Sequence, residues 1–194
     1  MRKSRIMLAI AVGISLLTPF AAMAASAPKE RPELVFKGLS ANGSGCPGGS
    51  SRPVMAEQQP TGALTVEYGN FVVSGGDYRS CTVAVSLATT PGWTYLIPSL
   101  ENRAWVELDA GATARVSTAV WLTGFAWTMK DDKRIAGPLN NYWASTAAPE
   151  QPMWAPCGES VNLVIAETVR VAAPPSNSAS LVTTTLAAPT WKQC

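Results

Sequence analysis

Alternation of apolar with polar or small residues, broken at short intervals by glycine and proline, constrains this chain more than any other feature. Apolar side chains at every second position lie on one face of a β-strand. The predicted strands are Leu34–Leu39, Leu64–Phe71, Cys81–Leu87, Trp105–Asp109, Arg115–Leu122, Val161–Val171 and Leu181–Leu186. No segment after residue 24 keeps a helical period over three turns. The sequence therefore predicts an all-β fold, antiparallel and sandwich or barrel-like.

One segment, 123–141, does not show a clear period. It contains the charge run Lys130–Arg134. Such runs usually lie in solvent. We expect a solvated loop or a hairpin tip at this position.

The N-terminus has the three parts of a secretory signal peptide. Arg2, Lys3 and Arg5 precede the apolar stretch Ile6–Phe20, and Ala22–Ala24 has the small-x-small pattern of a cleavage site. The apolar stretch is shorter than the ~20 residues of a membrane-spanning helix. We expect cleavage after residue 24, a secreted or periplasmic protein, and no membrane insertion of the mature chain.

The remaining chain divides into an arm and one domain. Residues 25–37 contain Pro28 and Pro32 and read as an N-terminal arm that leads into the possible first strand, and residues 38–194 are expected to form a single secreted β-domain. Of 15 basic and 13 acidic residues, three basic ones lie in residues 1–24, which leaves 12 − 13 = −1. No Lys/Arg cluster occurs in the sequence, so neither nucleic acid nor an anionic membrane surface is an expected partner.

Four cysteines, an even number, suit an exported, disulfide-bonded domain. They allow three pairings. We expect Cys46–Cys81 and Cys157–Cys194, because sequential strands are usually neighbours. Each bridge then stabilises the fold by about 3–4 kcal/mol through loop closure. A metal site is not expected, because the chain has no histidine and no CxxC spacing.

The absence of histidine and the expected pairing of all cysteines exclude most kinds of catalytic site. Without histidine there is no Ser-His-Asp or Cys-His site, and cysteines held in disulfides supply no thiolate. The Gly-rich segment 40–50 lacks the lysine of a phosphate-binding loop, so no cofactor is expected. A carboxylate pair remains: Glu107 and Asp109, at i and i+2 on a strand, lie about 7 Å apart, a separation that glycosidases use. A solvent-facing strand explains this pair better, so no catalytic residue is assigned.

Seven tryptophans are the other chemical feature. Trp105 and Trp121 lie opposite the Val/Leu side of their strands and are the candidate binding surface, since an indole presents an apolar face and a hydrogen-bond donor to a sugar ring. Trp154 and Trp191, each three residues from a cysteine, are expected to pack over a disulfide in the core.

Seven short motifs occur in a characteristic order: Gly43–Ser50, Tyr78–Val83, Pro91–Tyr95, Val106–Ala112, Ile135–Pro138, Trp154–Gly158 and Trp191–Cys194. Together they resemble the secreted domain-of-unknown-function family 4360 of bacteria and fungi. The resemblance implies a small exported β-domain with two disulfides, and it implies no catalytic residues.

These observations lead to one functional hypothesis and one alternative. The hypothesis is an exported, non-catalytic protein that binds an extracellular glycan or a protein partner. The alternative is a carboxylate-dependent polysaccharide hydrolase.

Overall fold

A computed structural model describes residues 32–48, 54–125 and 129–194. These residues form strands without helices, so no helix in this part of the chain could cross a membrane. The strands are β1 (Leu34–Asn42), β2 (Val54–Gln58), β3 (Leu64–Ser74), β4 (Tyr78–Thr89), β5 (Trp93–Leu96), β6 (Leu100–Leu108), β7 (Thr113–Leu122), β8 (Met129–Ala136), β9 (Leu139–Ala147), β10 (Val161–Ala172), β11 (Ser178–Leu186) and β12 (Thr190–Gln193).

Two five-stranded antiparallel sheets form a sandwich. Sheet 1 has the strand order β1-β4-β10-β7-β8, and sheet 2 has the order β2-β3-β11-β6-β9. A small third sheet pairs β12 with β5. The predicted antiparallel sandwich is therefore confirmed, although the sequence did not predict strands β2, β5, β8, β9 or β12.

The core lies between the inward faces of the two sheets. Val83, Val85 and Ile165 of sheet 1 and Phe71 and Leu181 of sheet 2 are all completely buried. Burial of a side chain of this size stabilises the fold by about 1.5–3 kcal/mol. The period-2 pattern of each strand therefore sets which side chains face the core and which face solvent.

Both disulfides have the predicted partners. Cys46 bonds to Cys81 with the Cα atoms 5.4 Å apart, and Cys157 bonds to Cys194 with the Cα atoms 6.0 Å apart. Cys81 is on the inward face of β4 and is fully buried. The second bridge connects the last residue of the chain to the segment that precedes β10.

The expectation of a solvated loop or hairpin tip at residues 130–134 was wrong. This charge run lies within strand β8, which pairs along its whole length with β7 at the edge of sheet 1. The alternation places Met129 and Asp131 inward, with Asp131 only 2% exposed, while Lys130 and Asp132 are exposed. The buried carboxylate of Asp131 is compatible with a strand because polar side chains from sheet 2 donate to its Oδ2.

These partners belong to a buried polar cluster between the sheets. Its members are Asn102 (β6), Thr118 (β7), Asp131 (β8), Ser145 (β9), Glu167 (β10) and Thr184 (β11). The Asn102 amide donates to Thr118 Oγ1 at 2.8 Å and to Asp131 Oδ2 at 3.0 Å. Ser145 also donates to Asp131, and Lys133 Nζ lies 3.5 Å from its other oxygen. The cluster connects sheets 1 and 2 through side chains alone.

Candidate functional site

An aromatic pair lies on the outer face of sheet 2. Trp105 of β6 is directly opposite Tyr142 of β9, and their ring centroids are 4.9 Å apart at an interplanar angle of 77°. Tyr142 is 67% exposed and Trp105 is half-buried. On the other side of Trp105 lies Ser180 of β11. We call Trp105 and Tyr142, with the adjacent polar side chains of Arg103, Glu107 and Ser180, the aromatic surface.

Hydrogen bonds hold the indole of Trp105 in place. Its Nε1–H donates to Glu107 Oε1 at 3.0 Å, and the Ser178 hydroxyl donates to Glu107 Oε2 at 3.3 Å. Arg103 donates from Nε to Glu101 at 2.5 Å, in an exposed pair that contributes little stability. The surface therefore presents a fixed aromatic edge with charged and hydroxyl groups next to it.

A depression of about 390 Å³ adjoins the aromatic pair. It is lined by Arg103, Tyr142, Trp143, Ala144, Val182 and Thr183. The register between β11 and β6 shifts between Leu181 and Thr183, so Val182 is an extra residue in β11 relative to β6. Such bulges redirect side chains and bend a strand locally. An apolar hollow with a few polar groups is the usual form of a small-ligand site.

Trp121, the other candidate residue, is not part of this surface. It lies on β7 opposite Val164 of β10, on the outer face of sheet 1, and is half-buried. The whole thickness of the sandwich separates the outer faces of the two sheets. Trp105 and Trp121 therefore cannot contact one side of the same sugar ring, and each has to be judged with its own neighbours.

Glu107 and Asp109 do not form a carboxylate pair on one strand. Strand β6 ends at Leu108, and Asp109 lies in the turn that follows. Its backbone N–H donates to Asn177 Oδ1 at 2.6 Å, and Asn177 Nδ2 donates back to Asp109 Oδ2 at 3.0 Å. This reciprocal pairing closes a turn against the segment before β11. The placement on a common strand was wrong, because strand β6 ends at Leu108 and Asp109 begins the turn that follows.

The remaining tryptophans take several environments. Trp191 packs against the core beside Tyr95, with ring centroids 5.8 Å apart. Trp154 is half-buried, and Lys192 Nζ lies 5.8 Å from its ring centroid, which suits a cation–π contact. Trp143 points inward from β9 at the edge of the core. Trp127 lies outside the described residues.

Sequence reasoning missed Tyr142 because strand β9 was not recognised. The signal was present, since Tyr142, Ala144 and Thr146 are exposed while Trp143 and Ser145 alternate with them toward the core. The proline at the start of this segment and the charge run before it obscured the period.

Sequence reasoning also missed a row of arginines on the outer face of sheet 1. Arg170 of β10 is opposite Arg115 of β7, and Arg115 is opposite Arg134 of β8. Tyr78 of β4 continues the row beyond Arg170. The three arginines are dispersed in the sequence, so the absence of a Lys/Arg cluster there did not predict this cluster in space.

Two carboxyl groups have clearly altered acidity. Burial raises the pKa of Glu167 to about 8, although hydrogen bonds from Thr118 and Thr184 oppose this effect. Hydrogen bonds from Arg115 and Ser117 lower the pKa of Asp132 to about 2. Glu167 is only 1% exposed between the sheets, so no substrate can reach it, while Asp132 is held as an anion. Neither carboxyl combines access with the raised pKa that a general acid needs.

The described residues also lack a metal site. No group of three or more His, Cys, Asp or Glu side chains in ranges 32–48, 54–125 and 129–194 is arranged to hold a metal ion.

The family model of a domain of unknown function (DUF4360) matches residues 32–194. This match confirms the resemblance that the motifs carry. None of the curated proteins matches the chain.

Several solved structures are similar at a low level. The carbohydrate-binding module TmCBM61 in complex with β-1,4-galactotriose has a TM-score of 0.35 and 10% identity, over 80% of this chain and 88% of that chain. The xylan-binding module CBM86 of Roseburia intestinalis has a TM-score of 0.26 and 14% identity, over 81% and 96%. The family 11 module of Clostridium thermocellum has a TM-score of 0.25 and 12% identity, over 80% and 94%. Similarity at this level does not support an inference about a ligand. Any such inference has to rest on the residues of this chain.

Proposed function

Because the chain belongs to the DUF4360 family, whose description assigns no activity, we propose its function from its surface. It is an exported, non-catalytic protein that binds a polysaccharide on the aromatic surface of sheet 2. Export rests on the predicted signal peptide and fits the two disulfides, which persist in oxidising compartments.

The Trp105–Tyr142 pair carries this proposal. The ring of Tyr142 is 67% exposed and lies at 77° to the fixed indole of Trp105. Fold stability does not account for this exposure, because the apolar area of the ring remains in water. A sugar ring has an apolar face that can cover such aromatic area, and aromatic side chains with a polar atom suit this dual contact. The pair therefore has the form of a stacking platform.

The polar side chains of the aromatic surface complement the platform. Arg103 and Ser180 can donate to sugar hydroxyls, and Glu107 and Ser180 can accept from them. Arg103 sits in an exposed ion pair, so little stability is lost when it turns toward a ligand. The depression of about 390 Å³ beside Tyr142 can hold one further sugar unit.

Binding without turnover agrees with the carboxyl groups. A glycosidase needs one carboxyl as general acid and a second as base or nucleophile across the scissile bond. On the aromatic surface, Glu107 accepts two hydrogen bonds and Glu101 pairs with Arg103. The nearby Asp109 is engaged by Asn177. These contacts hold the carboxylates in structural roles.

Binding to neutral cell-wall polysaccharides tests the proposal, with titration calorimetry or affinity electrophoresis as the measurement. Trp105→Ala and Tyr142→Ala should each weaken binding about tenfold. Trp121→Ala is the matched control, since it removes a half-buried tryptophan from the outer face of the other sheet. The thermal midpoint of Tyr142→Ala should stay near that of the wild type. Loss of binding in Trp121→Ala but not in Tyr142→Ala would move the site to sheet 1.

The hydrolase alternative has its own test. Wild-type protein incubated with the bound polysaccharide should release no reducing ends. Release that disappears in Glu107→Gln would overturn the non-catalytic assignment.

A further inference from the structure

We propose that the outer face of sheet 1 carries a second binding site, for a polysaccharide that bears carboxylate groups. The site is the arginine row, defined as Arg170, Arg115 and Arg134. It is independent of the aromatic surface, because the two lie on the outer faces of different sheets.

The arginine row is a continuous line across three neighbouring strands. Register places Arg170 opposite Arg115 and Arg115 opposite Arg134. Neighbouring strands are about 4.8 Å apart, so the row extends about 10 Å across the sheet. A hollow of about 300 Å³ lies on one side, toward Tyr78, and one of about 260 Å³ lies on the other side. A ligand can therefore reach the guanidinium groups along the whole length of the arginine row.

Two members of the row lack an acidic partner. Within the part of the chain that the structure describes, Arg134 and Arg170 form no ion pair, and both are exposed. Arg115 donates to both oxygens of Asp132 from Nε and Nη2. A guanidinium has five N–H donors, so three remain on Arg115 for a ligand. Asp132 thus orients the central arginine and leaves most of its donors free.

Fold stability does not explain this arrangement. Like charges directly opposite each other on adjacent strands are destabilising. In the described strands β7, β8 and β10, this face has the cations Lys130, Arg115, Arg134 and Arg170 and the anion Asp132, or 4 − 1 = +3. The chain from residue 25 onward has a net charge of −1 (12 − 13). Positive charge is therefore concentrated on this face, which indicates an anionic ligand.

A row of hydroxyl groups runs parallel to the arginine row and narrows the ligand class. Ser117 of β7 is opposite Thr168 of β10, and Thr168 is opposite Ser80 of β4. Ser117 and Thr168 also line the hollow beside Tyr78. Arginine forks match carboxylates in geometry, and the hydroxyls can bond to sugar hydroxyl groups. A uronate chain presents both kinds of group on every sugar unit.

Two other anionic polymers fit less well. An acidic peptide offers carboxylates but few hydroxyls. Single-stranded nucleic acid usually needs aromatic side chains for base stacking. On this face Trp121 is six residues from Arg115 along β7, about 20 Å away. Among the aromatic side chains that the structure describes, Tyr78 alone is next to the row.

The experiment measures binding of the mature protein to polygalacturonate. Fully methyl-esterified polygalacturonate is the uncharged control ligand. Binding should occur to the acidic chain and should be at least about tenfold weaker for the ester. The double variant Arg134→Ala/Arg170→Ala should bind the acidic chain at least about tenfold more weakly than the wild type. The control Lys192→Ala removes a cation from the third sheet, outside both proposed sites, and should change binding less than about twofold. The variant Arg134→Lys/Arg170→Lys keeps both charges but loses the planar guanidinium groups that bind a carboxylate through two hydrogen bonds. Its affinity for the acidic chain should lie between that of the wild type and that of the double alanine variant.

Several results would overturn the proposal. These are absence of binding to polygalacturonate, equal binding of its methyl ester, or equal loss in the control variant. Tighter binding of an oligothymidylate or of polyglutamate would assign the row to another class of polymer. The variants Trp105→Ala and Tyr142→Ala should leave polygalacturonate binding unchanged, so failure of the aromatic surface and failure of the arginine row are distinguishable.

Discussion

Thr184 of sheet 2 contacts Glu167 of sheet 1 through a 2.7 Å hydrogen bond in the middle of the sandwich. Thr184 Oγ1 also lies 2.9 Å from Asn102 Oδ1, which can only accept. A hydroxyl has one proton, so it cannot donate to both oxygens. The arrangement is satisfied when Glu167 is protonated and donates to Thr184, which donates to Asn102. Burial raises the pKa of Glu167 to about 8, in agreement with this geometry.

The first prediction follows from this proton. The pKa of Glu167 is about 8 in the folded state and 4.5 for the ordinary group. Between these values the folded protein keeps a proton that the unfolded chain has released, so the free energy of unfolding falls as pH rises. The slope approaches about 1.4 kcal/mol per pH unit, and the stabilisation is complete below pH 4.5 and lost above pH 8. Urea denaturation at pH 5, 6, 7 and 8 measures this slope of the free energy of unfolding.

Glu167→Gln is the matched control for this pH dependence. Its amide can donate to Thr184 and accept from Thr118 without titrating. The variant should lose most of the slope between pH 5 and pH 8 and should be more stable than the wild type at pH 8. An unchanged slope in Glu167→Gln would show that Glu167 is ionised in the fold.

The second prediction concerns the hydroxyl of Thr184. Thr184→Val keeps the shape but removes the hydroxyl that contacts Asn102 Oδ1 and Glu167 Oε1, while Thr118 still donates to Glu167 Oε2. The free energy of unfolding should fall by about 2 kcal/mol. The neighbouring Thr185→Val removes a contact to Thr65 Oγ1 at the half-buried outer face and should cost less than about 0.5 kcal/mol. Equal losses in the two variants would contradict the role of the cluster.

The third prediction concerns the second disulfide. Strand β12 pairs with β5 in the third sheet, whereas β11 is held between β3 and β6. The double variant Cys157→Ala/Cys194→Ala should therefore fray in residues 187–194 and lose on the order of 3 kcal/mol. Limited proteolysis with mass spectrometry should find the first cuts there. A first cut within β11 would show instead that the bridge stabilises sheet 2.

The fourth prediction concerns the N-terminus, where residues 1–24 lie outside the described part of the chain. The basic residues, the apolar stretch and Ala22–Ala24 predict export and a mature chain that starts near Ala25. N-terminal sequencing of exported protein checks this. Recovery of full-length chain in the membrane fraction would contradict it.

The alternation of side chains was enough to predict the fold class and the inward face of most long strands. It placed Cys81 and Val83 inward and Trp105 outward, as the structure has them. It failed at β8, because a charge run in a strand needs buried partners for Asp131. Those partners, Asn102 and Ser145, come from two strands of the other sheet.

The sequence by itself determined the all-β class, the two cysteine pairs and the outward direction of Trp105 and Trp121. These properties are local, since they depend on the period of one strand or on short chain separation. Only the tertiary structure decided that the two tryptophans belong to different sheets, that Tyr142 joins Trp105, and that the arginine row forms. Strand order comes from pairing between residues far apart in the chain, and the period of a strand contains no information about its neighbours.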